Sequence, residues 1–216
     1  MFFGRILARF RPKCLASVSR ADTPGSLVAL TFDDGPHPEF TAKLLKIFQR
    51  HHAKATFFMI GENAQAQKQT ARNVAEAGHA IANHSWSHPR FTEISGRKRR
   101  AQIRDCERAI APFGQKLFRP PFGLENTLTN FDAALLGYRV IKWDVDPKDW
   151  SGRDAKSIAQ DTIASIRPGS IVLLHDGAYK DAEWPDRQPT LDAVEMILTA
   201  LAGKYRFVTV PELLKS

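Results

Sequence analysis

Cysteine is scarce in this chain of 216 residues, which contains only Cys14 and Cys106. Two cysteines provide neither a disulfide framework nor a cluster of thiolates for a metal, so disulfide-stapled and thiolate-metal domains are excluded. The sequence also lacks an apolar run long enough to cross a bilayer. Internal repeats and low-complexity linkers are absent as well. The length and the hydrophobic content of 43% therefore predict a single domain with a sizeable core.

Acidic residues are missing from residues 1–20, which contain five basic ones: Arg5, Arg9, Arg11, Lys13 and Arg20. These residues supply much of the formal net charge of +8. Arginines interrupt the apolar stretch near the N-terminus, unlike the h-region of a secretory signal. We expect residues 1–25 to form a basic tail that is disordered or contacts an anionic membrane surface through residues 1–20. The protein is then expected to be cytoplasmic or peripheral to the membrane.

A second basic cluster occupies residues 97–100, with Arg104 and Arg108 following it in a helical pattern. The cluster is interpreted either as a solvated helix face or as a contact for an anionic partner. Its basic residues are not interleaved with the aromatic residues that a base-stacking platform requires. We therefore expect no nucleic-acid partner.

Apolar runs alternate with amphipathic stretches along most of the chain. Strands are predicted at residues 27–32, 54–59, 79–83, 116–119, 138–143, 170–175 and 206–210. Helices are predicted at residues 39–51, 63–77, 95–112, 125–136, 154–166 and 190–203. Strands joined by crossover helices indicate a parallel sheet. The fold is predicted to be a single α/β domain over residues 26–216, with about seven parallel strands curled into a barrel.

Two motifs about fifty residues apart combine carboxylates with imidazoles. Residues 31–36 read Thr-Phe-Asp-Asp-Gly-Pro, and residues 84–88 read His-Ser-Trp-Ser-His. Adjacent aspartates at a strand end point in different directions, so one can bind a metal while the other faces a reacting water. Histidines at i, i+4 can share one ion. Either motif alone is weak, since the first is also typical of a turn.

Three further motifs raise the significance of the first two. They are residues 119–123 (Arg-Pro-Pro-Phe-Gly), residues 146–150 (Asp-Pro-Lys-Asp-Trp) and residues 173–177 (Leu-Leu-His-Asp-Gly). All five motifs follow or end predicted strands, at the rim where barrel enzymes place their chemistry. The segment of residues 178–189, with Tyr179 and Trp184, is predicted to form a wall of the substrate groove.

These five blocks, in this order, resemble the polysaccharide deacetylases of the NodB-homology type, carbohydrate esterase family 4, from about residue 26 to about residue 212. The resemblance implies a distorted (β/α) barrel. It also implies a metal-dependent hydrolase that removes N-acetyl groups from GlcNAc-type sugars in chitooligosaccharides or peptidoglycan-type glycans. One divalent metal ion is implied, Zn before Co, Ni or Mn, with Asp34, His84 and His88 as ligands.

The resemblance also implies roles for the remaining motif residues. Asp33 is the general base, and Arg119 pairs with it. His175 is the acid that protonates the leaving amine. Asp149 holds and tunes His175, and Asp144 and Asp146 are competing candidates for that role.

Three further positions concern the acyl group. The backbone N–H of Phe122 is expected to stabilise the oxyanion; the family often has Tyr there, and the exchange should matter little. Leu173 and Trp150 resemble residues that form the acyl pocket, although simple core packing would explain them equally well.

Two alternatives remain open. One is removal of a formyl or other acyl group from a lipid-linked amino sugar, which the basic tail favours slightly. The other is a catalytically silent glycan-binding protein with the same fold. Whichever of these functions the protein has, we expect it to be a monomer.

Overall fold

The computed structural model describes residues 15–23, 25–180, 182 and 186–216, in which strands and helices alternate as predicted. The strands are β1 Leu27–Asp33, β2 Ala55–Met59, β3 Ala80–Asn83, β4 Gly114–Phe118, β5 Arg139–Val140, β6 Ile171–His175 and β7 Arg206–Phe207. The helices are α1 Phe40–Arg50, α2 Gly61–Ala66, α3 Lys68–Glu76, α4 Gly96–Ile110, α5 Thr127–Leu135, α6 Ala155–Ser165, α7 Gln188–Ala200 and α8 Val210–Leu213. Single 3-10 turns lie at Pro121–Gly123 and Asp149–Ser151.

The strands form one curled sheet in the order β5-β4-β3-β2-β1-β6, and β7 pairs with the start of β1. Each of these pairings is parallel. Helices cover the sheet because a parallel strand needs a crossover connection to its neighbour. The predicted α/β class and the distorted (β/α) barrel are confirmed.

The gap between β5 and β6 is bridged by irregular chain instead of a long strand. Val145 pairs with Val172 of β6, and Val18 pairs with Ile141 just after β5. Arg20 forms an antiparallel bridge to Ser170. Residues 15–23, which belong to the expected N-terminal tail, are thus hydrogen-bonded into the barrel. The basic residues expected to contact a membrane mostly precede them, and residues 1–14 lie outside the described part.

Burial on both faces explains why the strands read as continuous apolar runs. In β1 every residue after Leu27 is buried, and β2 is buried throughout. The core on the helix side includes an edge-on contact between Phe32 and Phe48 and a stack of Phe32 on Phe57, with ring centroids 5.7 and 5.2 Å apart. This packing fixes the register of β1 and hence the position of the residues at its end.

Three elements differ from the prediction. The helix expected at residues 63–77 is two helices, since Gln67 leaves helical geometry with φ −118° and ψ 47°. The strand expected at residues 206–210 ends at Phe207. Thr209 and Glu212 then form a capping box that starts α8. The strand expected at residues 138–143 is regular only over Arg139–Val140.

The second basic cluster is not entirely a solvated face. Arg99 is buried and donates from Nε to Asp132 Oδ2 over 2.7 Å, and Arg100 also pairs with Asp132. Arg97, Arg104 and Arg108 are exposed. Arg99 therefore ties α4 to α5. The sequence pattern does not distinguish this buried arginine from the exposed arginines beside it. Within the described residues, no helix combines the length and the apolar character needed to cross a membrane.

Replacing Asp132 should destabilise the fold. Asp132→Ala leaves the guanidinium of Arg99 buried without its carboxylate, so we expect the free energy of unfolding to fall by about 3 kcal/mol. Asp105→Ala removes an exposed ion pair with Arg108 and should cost less than about 1 kcal/mol. Urea denaturation of the two variants measures the difference, and equal losses would contradict the assigned role of Asp132.

Candidate active site

The carboxyl ends of the parallel strands carry the motif residues to one rim. Asp33 ends β1, His84 follows β3, Arg119 follows β4 and His175 ends β6. Asp33, His84 and His175 line a groove with a volume of about 470 Å³, and Arg119 lies behind Asp33. The groove is lined by Asp33, Asp34, His84, His88, Phe122, Gly123, Trp143, Asp146, Trp150, Ser151, Leu173, His175, Tyr179, Ala182 and Arg187.

Three buried side chains at the base of this groove point at one spot. Asp34 Oδ1 lies 3.5 Å from His84 Nε2 and 3.3 Å from His88 Nε2. The three atoms all lie within 4.8 Å of one another. Among the described residues no hydrogen-bond donor satisfies Asp34 Oδ1, although it is buried. A buried carboxylate oxygen that faces two imidazole nitrogens fits a divalent cation.

The protonation states of these groups also suit a metal. Burial lowers the pKa of His88 to about 3, so its imidazole is neutral and can donate a lone pair. Burial by itself raises the pKa of Asp34, but attraction to the nearby imidazoles of His84, His88 and His175 holds it well below its ordinary value. The set is thus an ionised carboxylate with a neutral imidazole from His88.

Unusual backbone conformations aim these side chains. Asp34, Ser85 and His88 have φ of 71°, 69° and 58°, a left-handed region that few non-glycine residues adopt. Asn63 secures the first turn by donating to the Asp34 carbonyl over 2.7 Å. Ser85 Oγ secures the second by accepting from the His88 N–H over 3.1 Å. Strain of this kind persists where the surrounding structure enforces it.

Two glycines let the first and last motifs cross at close range. A Cβ on Gly35 would lie 2.4 Å from Asp176 Oδ1, and one on Gly177 would lie 2.4 Å from the Asp34 carbonyl oxygen. Asp176 is fully buried, accepts a hydrogen bond from Thr41, and burial raises its pKa to about 7. The glycines of both motifs are therefore packing requirements beside the site.

Asp33 is held by the buried Arg119. Nη1 of Arg119 donates to Asp33 Oδ1 over 2.7 Å and to Thr31 Oγ1 over 2.8 Å. The guanidinium also donates to the carbonyls of Ile141 and Lys142 and lies 4.0 Å over the ring of Phe58. The other carboxylate oxygen, Oδ2, lies 3.6 Å from His84 Nε2. Asp33 thus keeps one oxygen on Arg119 and turns the other toward the ligand cluster.

His175 is paired with Asp149, as the sequence suggested. Its ring Nδ1 lies 2.8 Å from Asp149 Oδ1, and its backbone N–H donates to Asp149 Oδ2 over 2.8 Å. Burial alone would lower the pKa of His175, but the charge and hydrogen bond of Asp149 outweigh it and raise the pKa to about 9. At neutral pH His175 is therefore a cation whose Nε2 is left for the groove.

The two competing aspartates have different partners. Asp144 accepts from the Ile171 N–H over 2.8 Å and from Ser170 Oγ over 3.0 Å, which anchors the start of β6. Asp146 lines the groove and accepts from the Lys148 N–H over 2.9 Å. Neither contacts the ring of His175, so Asp149 is the carboxylate that holds it.

Aromatic and aliphatic side chains form the walls. Leu173 is buried, Trp150 is 45% exposed, and both line the groove. Phe122, at φ 58° in the 3-10 turn, is 41% exposed and packs its ring on His88 with centroids 4.5 Å apart. Its side chain therefore contacts a ligand candidate, a role beyond the backbone N–H that the sequence suggested.

Sequence reasoning missed several residues at this rim. Trp143 packs over Gly123 and lines the groove. Thr190 donates to Asp149 Oδ2 over 2.8 Å. Tyr179 was expected in the groove wall, but its stack on His88 was not foreseen. Of that segment, Trp184 lies outside the described residues. These contacts join residues far apart in sequence, so no local pattern indicates them.

Similarity to known proteins agrees with this geometry. A family profile described as polysaccharide deacetylase matches residues 20–141. The chain is 36% identical over 197 residues to a chitooligosaccharide deacetylase of Sinorhizobium fredii, covering 87% of this chain and 91% of that protein. The chain belongs to the polysaccharide deacetylase family.

Solved structures in this family share the architecture. One is a peptidoglycan N-acetylglucosamine deacetylase in complex with an N-oxidanyl-benzamide, with a TM-score of 0.85, 32% identity and 93% of both chains covered. Another is a pseudoenzyme of carbohydrate esterase family 4 from Bacillus anthracis, with a TM-score of 0.83, 26% identity, and 96% and 71% of the two chains covered. The polysaccharide deacetylase fold alone therefore does not establish activity, and the side chains of the site must carry the argument.

The two neighbouring aspartates should differ in metal binding. Asp34→Ala and His88→Ala should each weaken the affinity for a divalent metal about tenfold or more, because each removes a buried donor. Asp33→Asn should leave the affinity nearly unchanged, since Asp33 is held by Arg119. Competition with a chromophoric chelator measures all three, and release of metal by Asp33→Asn instead would mean that the two aspartates are swapped.

Proposed function

We propose that the protein is a metal-dependent hydrolase that removes N-acetyl groups from GlcNAc-type amino sugars in oligosaccharides or polysaccharides. The observation that carries the proposal is the pairing, in one groove, of an Asp-His-His donor set with a separately held carboxylate, Asp33, and a cationic histidine, His175. Membership of the polysaccharide deacetylase family supports it.

A divalent cation held by Asp34, His84 and His88 would polarise the acyl carbonyl and acidify a water molecule. Asp33 is the proposed general base that takes a proton from this water. Arg119 donates to one oxygen of Asp33 and leaves the other for the proton. Because Arg119 is buried and tied to backbone carbonyls, it keeps Asp33 oriented through the reaction.

His175 is the proposed general acid, and it lines the same groove. An amine is a poor leaving group until it is protonated, and the Nε2–H of the imidazolium can supply that proton. Asp149 accepts from Nδ1 and keeps the ring charged, and Thr190 donates to the same carboxylate. After the C–N bond breaks, His175 takes up a proton from solvent and Asp33 releases to solvent the proton that it took from water, so both groups return to their starting forms.

The acyl group is proposed to lie between a backbone N–H group, which donates a hydrogen bond to its oxygen, and an apolar wall of the groove. The Phe122 N–H would donate to the oxygen that gains negative charge, since Phe122 lies in the 3-10 turn Pro121–Gly123 and lines the groove. Leu173 and Trp150 would contact the methyl group, with Trp143 as a further wall.

We propose Zn as the metal, because two imidazoles and one carboxylate with open positions are a frequent zinc donor set; Co, Ni and Mn remain alternatives. The protein is proposed to act as a monomer on a glycan. Its location, in the cytoplasm or at the membrane surface, stays a prediction from the basic residues near its N-terminus.

Two other functions would use the same groove. Removal of a formyl or other acyl group from a lipid-linked amino sugar would need the same base, donor set and acid. A silent glycan-binding protein has a precedent in the pseudoenzyme of the same family. The presence of the base, the donor set and the acid together favours catalysis over binding alone.

The experiment is deacylation of a panel of N-acetyl and N-formyl oligosaccharides by metal-loaded protein, followed by mass spectrometry. We expect loss of acetyl groups from chitooligosaccharides or peptidoglycan fragments, and no reaction in excess chelator. Asp33→Asn should lower turnover about 10²- to 10⁴-fold while keeping the metal. Asp105→Asn, on the surface of α4, serves as the matched control. Full activity in chelator would contradict the proposed mechanism, and exclusive loss of formyl groups would favour the alternative.

The pH profile tests the acid. The protonated form of His175 acts, so activity should fall as the pH rises through its pKa, giving an alkaline limb. Asp149→Asn removes the charge that raises this pKa and should shift the limb to lower pH by on the order of one unit. His175→Ala should abolish the limb. A limb that stays in place in Asp149→Asn would mean that another group supplies the proton.

A further inference from the structure

The two histidines of the donor set are oriented by different means. His84 donates from Nδ1 to the Arg119 carbonyl oxygen over 2.8 Å, which leaves Nε2 toward Asp34. His88 Nδ1 is buried and has no hydrogen-bond partner among the described residues. Histidine ligands usually donate their second nitrogen to a fixed acceptor, which sets the plane of the ring. Something other than a hydrogen bond must set the plane of His88.

Aromatic rings supply the missing constraint. The ring of Tyr179 stacks on His88 with centroids 4.6 Å apart and an interplanar angle of 14°. Phe122 packs against the same imidazole at 60°, and it meets Tyr179 edge-on at 5.5 Å. Rotation of the imidazole would break the parallel stack. Such ring pairs contribute about 0.5–1.5 kcal/mol beyond the area they bury.

The backbone that carries Tyr179 is tied to the site. Asn63 Nδ2 donates to the Asp34 carbonyl over 2.7 Å and lies 3.4 Å from the carbonyl of Ala178. Arg187 Nε donates to the Gly177 carbonyl over 2.8 Å. The segment after β6 is therefore held near the Asp34 turn by hydrogen bonds to the two residues that directly precede Tyr179. Tyr179, four positions beyond the proposed acid His175, is thus placed over the proposed ligand His88 in the loop after β3.

We propose that Tyr179 is a positioning residue for the metal ligand His88, acting through the stacked ring and not through its hydroxyl. The inference rests on the proposed function, because it requires His88 to bind the metal. The Tyr179 hydroxyl makes no hydrogen bond to the described residues. The ring alone should thus be sufficient, and phenylalanine should replace tyrosine without loss of the effect.

The test measures metal affinity and ligand geometry in the absence of turnover. Apo protein is titrated with Zn²⁺ in competition with a chromophoric chelator, and the Co²⁺ form is examined by visible absorption spectroscopy. Tyr179→Ala should weaken metal binding about tenfold, the lower end of the range for lost outer-shell partners, and should alter the Co²⁺ spectrum. Tyr179→Phe should match the wild type in both.

Trp150→Ala is the control for metal binding, because Trp150 is another aromatic residue that lines the groove but has no ring contact with His88. It should leave the affinity and the spectrum unchanged. Circular dichroism shows whether each variant is folded. If Tyr179→Ala does not fold, Tyr179→Leu retains bulk without a ring and should still show the loss.

The outcomes separate the two proposals. Wild-type affinity and spectrum in Tyr179→Ala or Tyr179→Leu would overturn the positioning role while leaving the metal site intact. A loss in Tyr179→Phe equal to that in Tyr179→Ala would overturn the claim that the ring is sufficient. If the wild-type protein binds no metal, the proposed function itself is overturned. His88→Ala would then have the same lack of metal affinity as the wild type.

Discussion

Two adjacent carboxylates buried at the end of β1 are the constraint on which this structure depends. Asp33 and Asp34 are each less than 5% exposed, and two neighbouring buried charges are costly unless each has its own compensation. The two carboxylates point in different directions, and each is compensated by a different group. Asp33 turns to the guanidinium of Arg119, which is itself fully buried. Asp34 turns to two imidazoles, and one of its oxygens receives no hydrogen bond from the part of the chain that the structure describes. The polarity of the groove follows from this division.

The same constraint explains why residues from several strands must meet. Arg119 can reach Asp33 only because β1, β2, β3 and β4 are consecutive neighbours in a strongly curled sheet, and its remaining donors are satisfied by Thr31 and by carbonyls after β5. The Arg119 carbonyl in turn orients His84. One residue thus links the proposed base to a proposed metal ligand, and the fold tolerates its burial because every side of the guanidinium has a partner.

Much of this arrangement could be read from the sequence, and the exceptions share a cause. The strands were predictable because both faces are buried, and the motif residues because each follows a strand. The split at Gln67, the short α8 and the barrel closure through Val18 and Arg20 depend on individual caps and long-range bridges that leave no periodic pattern. Arg99 shows the same limit: within a basic run, only the position of Asp132 on another helix decides which arginine is buried. The stack of Tyr179 on His88 likewise joins two loops.

Burial alone does not decide what a histidine does in this site. His88 and His175 both lose solvent, which by itself favours the neutral imidazole. At His88 burial, together with the neighbouring imidazoles of His84 and His175, outweighs the charge of Asp34, so the pKa of His88 falls to about 3. His175 has a carboxylate bound directly to Nδ1, so its pKa rises to about 9. Two groups of the same chemical type are thereby separated into a neutral imidazole, the proposed ligand, and a charged one, the proposed acid. The proposed roles rest on that difference in partners. The sequence motifs show only that both residues are histidines, whereas the neighbouring side chains in the structure decide which of the two is charged.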